Sequence, residues 1–149
     1  MIASGLEELT FDECVALLEQ HQVGRIGIMI DEYPLVVPVN YRLVTLPGRC
    51  WLAIRTRPGS VIDRAGTFVA FEIDGIDPEP REGWSVVVRG TLHRVDPNVA
   101  DFGLRFDPES WLRDNAQSWL VVDAFQVTGR TLREPAYQWE LELSNSGLV

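Results

Sequence analysis

The sequence predicts a mainly β domain, a small barrel of six or seven mostly antiparallel strands with an N-terminal helix and short additional helices. Three observations predict it. Apolar and polar residues alternate along several segments, turn residues separate those segments, and a clear helical period occurs only near the start of the chain. Strands do not alternate with helices, which favours a barrel over a parallel sheet. The 149 residues fit one domain over residues 1–149.

The first predicted element is an amphipathic helix. It begins after Thr10, because Thr10 and Glu13 have the spacing of a capping box. Gly24 lies beyond its end and breaks the pattern. The apolar positions recur at helical spacing, and they are Phe11, Cys14, Val15, Leu17 and Leu18. We therefore expect one face of this helix to pack on a sheet.

A β-hairpin follows the helix. Residues 25–30 place Ile26, Ile28 and Ile30 on one face, and residues 31–34 form the turn. In the second strand one face carries Leu35, Val37, Val39, Tyr41 and Leu43, and the opposite face carries Pro38 and Asn40.

Four more strands or strand-like segments complete the prediction. A strand over residues 50–56 places Arg55 and Arg57 on one face, and a buried strand covers residues 68–73. Residues 74–83 are rich in proline, glycine and acids and are expected to form a solvated loop. The last strands cover residues 84–95 and 120–132.

Three short elements are also expected. Ser60 can cap a short helical turn that runs to Arg64. A helix begins at Asp107, which Pro108 and Glu109 follow, and a tail strand covers residues 137–143.

The charge balance excludes several classes of partner. The formal net charge is -9, and all of the 13 basic residues are arginine. An acidic protein repels nucleic acids and anionic membrane surfaces, and no segment reaches the roughly 18 apolar residues of a membrane span. The expectation is a cytoplasmic protein without a nucleic-acid or membrane partner.

The absence of lysine limits the chemistry of the chain. Without lysine there is no Schiff-base chemistry, so arginine, hydroxyls and backbone N–H groups must bind any anion.

Few residues suggest a nucleophile or a metal site. His21 and His93 are the two histidines, and each is expected to be a hydrogen-bonded side chain rather than a catalyst. Cys14 and Cys50 are too few for a zinc site and are expected to be buried and reduced. The sequence contains no motif of the hydrolases, kinases or zinc enzymes. No catalytic residue is assigned and no metal is expected.

One segment carries the donors that suit a phosphate. Two guanidinium groups, two hydroxyls and the N–H groups of a turn meet at the end of the third strand. These residues are Arg55, Thr56, Arg57, Pro58, Gly59 and Ser60. An ordinary polar hairpin end, with its arginines paired to carboxylates, fits the same spacing, and composition does not decide between the two.

Six segments, taken in order, resemble the pyridoxamine 5'-phosphate oxidase-like family of flavin-binding split β-barrels. They read VGRI at 23–26, PLVVPVNY at 34–41, RTRPGS at 55–60, VAFEID at 69–74, GWSVVVRG at 83–90 and VTGR at 127–130. No single segment is specific. The resemblance rests on their order and spacing, and together they span most of the chain.

The resemblance implies a homodimer with a flavin in a groove between the subunits. FMN is the cofactor bound most often in this family, and some members use the deazaflavin F420 or haem. By position, the strand formed by Pro38, Val39, Asn40 and Tyr41 would flank the isoalloxazine ring. Arg55 and Thr56 would run under the cofactor, Ser60 would help to hold its phosphate, and Trp84 and Ser85 would close the groove. Arg130 would be a weaker candidate that reaches across the dimer.

One residue departs from the family pattern. Many flavin-binding relatives place a basic phosphate ligand directly after the Gly-Ser pair, where this chain has Val61. Losing one charge-assisted contact costs about 1.5–3 kcal/mol, or roughly one to two decades of affinity. Arg57 or Arg64 lies near enough in sequence to substitute.

The resemblance implies an FMN-dependent oxidoreductase that transfers hydride or electrons between a reduced cofactor and a small organic substrate. Two alternatives stay open, an F420-dependent reductase of the same fold and a non-catalytic split-barrel dimer that has lost its cofactor. Because a flavin carries the hydride chemistry itself, missing acid–base residues are compatible with all three.

Some side chains have a second interpretation in the sequence. Trp84 fits either ligand contact or packing, and Tyr41 alternates with Val37 and Val39, which points it toward the core. Arg89 and Arg94 are expected to pair with carboxylates across the sheet rather than to bind a ligand.

Overall fold

The computed structural model describes residues 5–96 and 118–133. These residues form one helix and seven strands. In chain order the elements are β1 (Leu6–Glu8), α1 (Phe11–Gln20), β2 (Val23–Ile30), β3 (Tyr33–Leu46), β4 (Arg49–Thr56), β5 (Phe68–Asp77), β6 (Glu82–Val95) and β7 (Ser118–Leu132).

The strands form a single antiparallel sheet that closes on itself. The order is β1-β7-β4-β3-β2-β5-β6, and β6 pairs back with β7 to complete a ring of six strands. One half of β7 pairs with β4 over residues 118–123, while its other end pairs with β1 over residues 130–132. The barrel is therefore divided along β7, and the predicted mainly β, split-barrel fold is confirmed.

The barrel interior follows the predicted alternation. The buried cluster takes every second residue of each strand, including Ile26, Ile28, Leu52, Ile54, Phe71, Ile73, Val86, Val88, Leu120 and Val122. Their neighbours in sequence lie on the opposite face of the sheet, where Ala53, Trp119 and Val121 are also buried. This alternation places Arg55 on the outer surface, since Ile54 before it lies inside.

Helix α1 covers one end of the barrel. The predicted capping box is present: the Glu13 N–H donates to Thr10 Oγ1 at 3.2 Å, and the Thr10 N–H donates to Glu13 Oε1 at 3.1 Å. Gly129 lies beneath the helix, where an added Cβ would be 2.6 Å from Cys14 Sγ. The missing side chain of Gly129 therefore lets the helix approach β7 closely.

Two sequence predictions about loops are wrong. The expected loop over residues 74–83 is mostly strand, because β5 continues to Asp77 and β6 begins at Glu82. Gly75 allows this pairing, since the Trp84 ring occupies the place of its side chain. The segment from Ser60 to Arg64 forms hydrogen-bonded turns rather than a helical turn.

Strand β1 was not predicted, because its three residues show no alternation. The helix expected at Asp107 and the tail strand expected over residues 137–143 lie outside the described residues.

Candidate functional site

The end of β4 presents a stacked arginine on the outer surface of the barrel. The Arg55 guanidinium carbon lies 5.3 Å from the centroid of the Trp119 ring. Trp119 is opposite Arg55 in the β4–β7 pairing and is itself buried. A guanidinium held over an indole ring keeps its planar set of donors in a defined direction.

Two hydroxyls lie directly beside this arginine. Thr56 is the last residue of β4, and its Oγ1 is 2.6 Å from Ser60 Oγ, across the turn that follows. Gly59 supplies the turn with a φ of +76°, a conformation that favours glycine. One hydroxyl donates to the other in this pair, so one hydroxyl proton is left for a further acceptor.

The amides of the turn are less available than the sequence predicted. The Ser60 N–H donates to the Arg57 carbonyl at 3.0 Å, and the Gly59 N–H donates to Asp63 Oδ2 at 3.0 Å. The prediction that these N–H groups would be free for an anion is therefore wrong. Side chains must supply the donors instead.

Asp63 is the buried acid at this turn. Its side chain is only 6% exposed, and its Oδ1 accepts a hydrogen bond from Arg94 Nη2 at 2.7 Å. The Arg94 guanidinium, the Gly59 N–H and the Ser118 hydroxyl together hold the pKa of Asp63 below its ordinary value. Arg94 pairs with a carboxylate as predicted, but the carboxylate belongs to the turn after β4 and not to a neighbouring strand.

Three more predicted residues lie on the outer side near this end. Arg57 follows the strand and is exposed. Tyr41 pairs with Ile54, so Asn40 and Arg55 continue outward on the same face of adjacent strands. Pro38 is exposed and pairs with Arg25 of β2.

The side chains of Val39 and Tyr41 belong to the core. The Tyr41 hydroxyl donates to the Leu18 carbonyl of α1 at 2.7 Å, and its ring meets Phe71 edge-on with centroids 4.8 Å apart. Burial raises the pKa of Tyr41 well above its ordinary value. A groove ligand could reach only the main chain at these two positions, which agrees with the core interpretation of Tyr41.

Trp84 and Ser85 lie at the far end of β6. Arg55 pairs with Trp119, and Trp119 pairs with Val95, which is eleven positions along β6 from Trp84. At about 3.3 Å per residue that is roughly 36 Å of strand. Within one chain, the structure does not bring these two residues to the end of β4.

Trp84 packs against α1 rather than facing outward. Its ring meets His21 edge-on with centroids 5.0 Å apart. His21 also forms a hydrogen bond through Nδ1 with the Leu17 carbonyl at 3.1 Å, so the prediction of a hydrogen-bonded histidine is confirmed there. Ser85 points to the other side of the sheet.

A second polar group, which sequence analysis missed, surrounds Ser85. Glu72 and Asp74 share the outer face of β5, and Arg25 Nη1 lies 3.4 Å from Asp74 Oδ2 and 3.9 Å from Glu72 Oε2. A shallow cavity of about 340 Å³ is lined by Glu72, Asp74, Ser85 and Arg130, among other residues. Desolvation and the neighbouring Asp74 raise the pKa of Glu72, against the opposite effect of Arg25.

Among residues 5–96 and 118–133, Arg89 does not pair with a carboxylate as predicted. Its Nη1 donates to Gln126 Oε1 at 3.1 Å, and its guanidinium carbon lies 5.9 Å from the Phe125 ring centroid.

Cys14 and Cys50 are buried free thiols, as expected, and burial raises the pKa of each.

The outer surface also carries an open apolar depression of about 600 Å³, which we call the apolar trough. Small residues line part of it, and larger apolar side chains surround them. The small residues are Gly27 and Ala70, and the larger ones are Met29, Val36, Phe68 and Phe125. Phe68 is 75% exposed and Phe125 62% exposed, which is unusual for such large apolar side chains.

Within residues 5–96 and 118–133, no helix has the length and apolar character needed to cross a membrane. In the same residues, no three His, Cys, Asp or Glu side chains lie close enough together to hold a metal ion.

Comparison with known proteins decides the family. A family model described as pyridoxamine 5'-phosphate oxidase matches residues 10–131. The chain belongs to this family. The resemblance that the six sequence segments indicated is therefore confirmed.

Three proteins are similar to this chain over most of its length. An uncharacterized protein of Mycobacterium tuberculosis is 32% identical over 132 residues, which cover 82% of each chain. An FAD-binding protein from Mycobacterium smegmatis is 30% identical with a TM-score of 0.63, covering 86% of this chain and 99% of its own. An FAD-binding protein from Mesorhizobium loti is 25% identical with a TM-score of 0.66, covering 85% of this chain and 97% of its own.

Proposed function

We propose that this protein binds a flavin nucleotide whose phosphate lies at the end of β4, against Arg55 and the Thr56–Ser60 hydroxyl pair. One observation carries the proposal. Arg55 is stacked on Trp119 next to two hydroxyls that are 2.6 Å apart, so cationic and neutral donors share one small surface. Membership of the family and two similar proteins known as FAD-binding proteins support a flavin as the ligand.

The chemistry of these donors fits a phosphate. Guanidinium groups bind phosphate oxygens through short charge-assisted hydrogen bonds, and a hydroxyl adds a neutral donor. The chain as a whole has a net charge of -9, so a local cluster of arginines is needed to attract an anion. Arg57 and Arg55 provide that cluster at the end of β4.

Asp63 does not cancel this local charge, because it is already paired. Its carboxylate accepts from Arg94 at 2.7 Å and from the Gly59 N–H at 3.0 Å. Asp63 is therefore paired with a different arginine from the two that are proposed to meet the phosphate.

The side chains near the proposed phosphate site suggest a preference between the two flavins. FMN is the flavin that the sequence resemblance implies, and it presents a terminal phosphate. Val61 is 38% exposed at the position where many relatives carry a basic residue, so FMN lacks one contact here. FAD has a second phosphate and an adenine that can supply further contacts, in agreement with the two FAD-binding relatives. We expect both flavins to bind, with FAD bound more tightly.

An oxidoreductase activity on a small organic substrate is the reaction proposed for the bound flavin. The flavin supplies the hydride or electron transfer. This chain's own residues bind the phosphate, orient the ring from the outer face of β3, and exclude water. Pro38 and Asn40 are the side chains proposed to lie along the ring.

The site is proposed to be completed by a second copy of the chain. Trp84 and Ser85 lie roughly 36 Å of strand away from the end of β4, so they can contribute to the groove only from a partner subunit. The apolar trough supports a homodimer, because exposed aromatic residues of this size mark a protein interface. The trough is proposed to be part of that interface.

Absorption and binding measurements test the proposed function. Purified protein should show the visible bands of oxidised flavin, and flavin-free protein should regain them when FMN or FAD is added. Each flavin should raise the melting temperature, since a ligand that binds only the folded state stabilises it. A response to F420 alone would replace the flavin with a deazaflavin. A colourless protein whose melting temperature no cofactor changes would contradict the proposal and favour a non-catalytic dimer.

A further inference from the structure

The turn after β4 depends on a buried acid that comes later in the sequence. Asp63 has a side chain that is 6% exposed, and its two oxygens have separate partners. Oδ1 accepts from Arg94 Nη2 at 2.7 Å, and Oδ2 accepts from the Gly59 N–H at 3.0 Å. Asp63 therefore links the turn to β6.

A third element meets the same carboxylate. The Ser118 hydroxyl contributes to the lowered pKa of Asp63, and Ser118 is buried at the start of β7, opposite Thr56. The acid thus joins the turn, β6 and β7 at a single point. A carboxylate with several charge-assisted donors is a strong and geometrically defined link.

Two backbone hydrogen bonds, the Thr56–Ser60 hydroxyl pair and the burial of Ile62 in the core also hold the turn. Its backbone bonds are the Ser60 N–H to the Arg57 carbonyl and the Asp63 N–H to the Ser60 carbonyl, both at 3.0 Å. Gly59 has a positive φ and is exposed, and nothing lies within 4 Å of the place where its Cβ would be. Without the Asp63 bond the Gly59 N–H would turn to solvent, and glycine would allow many other conformations.

We propose that Asp63 and Arg94 are positioning residues for the flavin phosphate, because they hold the turn in the shape that places the Ser60 hydroxyl against Thr56. This inference rests on the proposed function. Asp63 fixes the turn, and Arg94 fixes Asp63 while neutralising it. Neither side chain needs to touch the flavin.

Removing the negative charge of Asp63 distinguishes two interpretations of its role. If Asp63 were only an acid near an anion site, removing its negative charge would tighten phosphate binding. If Asp63 positions the turn, removing it weakens phosphate binding although the site becomes more positive. The two interpretations therefore predict changes of opposite sign in the affinity for the phosphate.

The experiment compares FMN with riboflavin, which has the same ring and no phosphate. We expect Asp63→Ala to raise the Kd for FMN about tenfold, which corresponds to about 1.4 kcal/mol, and to change the Kd for riboflavin less than about twofold. Asp63→Asn removes the same charge but keeps one acceptor, so its effect on FMN should be smaller. Both variants lose the charge, so the difference between their Kd values for FMN measures the effect of the lost hydrogen-bond acceptor.

A double variant tests whether Arg94 acts through Asp63. Arg94→Ala alone should weaken FMN binding, and adding it to Asp63→Ala should cause no further loss. Asp123→Ala is the matched control, because Asp123 also accepts from an arginine, Arg49, at 3.2 Å and lies on the outer face. This control should bind FMN within about twofold of the wild-type protein.

Amide hydrogen exchange of Gly59 in the flavin-free protein gives a second measurement. Its exchange should become faster in Asp63→Ala and Arg94→Ala, while Asp123→Ala leaves it unchanged. The inference is overturned if Asp63→Ala binds FMN as tightly as the wild type, if FMN and riboflavin lose affinity equally, or if Gly59 exchange does not change. A wild-type protein that binds neither FMN nor FAD would instead refute the proposed function itself.

Discussion

Glu72 is an acid whose surroundings disfavour its charged form. Its Oε1 is buried and has no hydrogen-bond partner within residues 5–96 and 118–133. Desolvation and Asp74 raise its pKa, and Arg25 only partly opposes them. A group whose pKa is higher in the folded state than in the unfolded state binds a proton on folding, so the charged form costs stability.

We expect Glu72→Gln to stabilise the protein at neutral pH. Below the ordinary glutamate value of 4.5 both states are protonated and the glutamate costs nothing. As the pH rises through the raised pKa, the wild-type protein loses this stability and the variant does not. The melting temperature gained by the variant should therefore be larger at pH 7 than at pH 4.

The control for this prediction is Glu19→Gln, which neutralises an exposed acid of α1. It should change the melting temperature little at either pH. An equal gain at both pH values, or a loss at pH 7, would show that Glu72 is stabilised by its neighbours instead.

Only some residues of the candidate site could be predicted from the sequence. Arg55, Thr56 and Ser60 were predicted because they lie within six consecutive residues and the strand alternation sets their direction. Asp63, Arg94 and Ser118 were not predicted as one group. They meet only because the turn, β6 and β7 come together in the folded barrel.

Among the elements, the contact between α1 and β7 depends on a glycine. An added Cβ at Gly129 would lie 2.6 Å from Cys14 Sγ and 2.9 Å from Leu9 Cδ1. Both distances are shorter than real side-chain contacts. The Leu9 N–H also donates to the Gly129 carbonyl at 2.9 Å, so the backbone here has little freedom to move away.

We expect Gly129→Ala to destabilise the fold by about 1–3 kcal/mol, the usual cost of forcing extra volume into a packed site. Chemical denaturation would measure this loss. Cys14→Ala in the same chain should restore part of the stability, because it removes the nearest clashing atom. If Gly129→Ala alone matches the wild type, the helix does not pack on β7 as described.

The sequence predicted those helices and strands that local residue patterns specify. The start of α1 follows from its capping box, and β2, β3, β4, β6 and β7 follow from alternation. The ends of β5 and β6 did not follow, because their glycines, prolines and acids favour a loop. Pairing of the two strands from Phe68↔Thr91 to Asp77↔Glu82 overrides that local preference. Strand β1 exists only through its pairing with β7.

For the whole molecule, the apolar trough predicts the surface of a homodimer. Phe68 and Phe125 are both largely exposed and line the same depression. Each aromatic side chain can bury about 150–250 Å², and a standard interface needs about 800 Å² from each partner. The two rings with Met29 and Val36 can therefore supply a large share of such an interface.

We expect Phe68→Asp to convert the proposed homodimer to a monomer, because a charge would be buried in the apolar trough. Light scattering coupled to size-exclusion chromatography would show a mass near 16.8 kDa for the variant and twice that for the wild type. Leu46→Asp is the control, since Leu46 is 42% exposed and lines neither the trough nor the cavity beside Ser85. A wild-type monomer, or a Phe68→Asp dimer, would contradict this assignment.

The proposed flavin phosphate site lies at the end of β4, and the account depends on Arg55 at that point. The most direct test measures the Kd of FMN and of riboflavin for the wild type, Arg55→Ala and the control Arg49→Ala. We predict that Arg55→Ala weakens FMN binding at least about tenfold, as expected for a lost charge-assisted contact, and changes riboflavin binding little. Unchanged FMN affinity in Arg55→Ala would contradict the account.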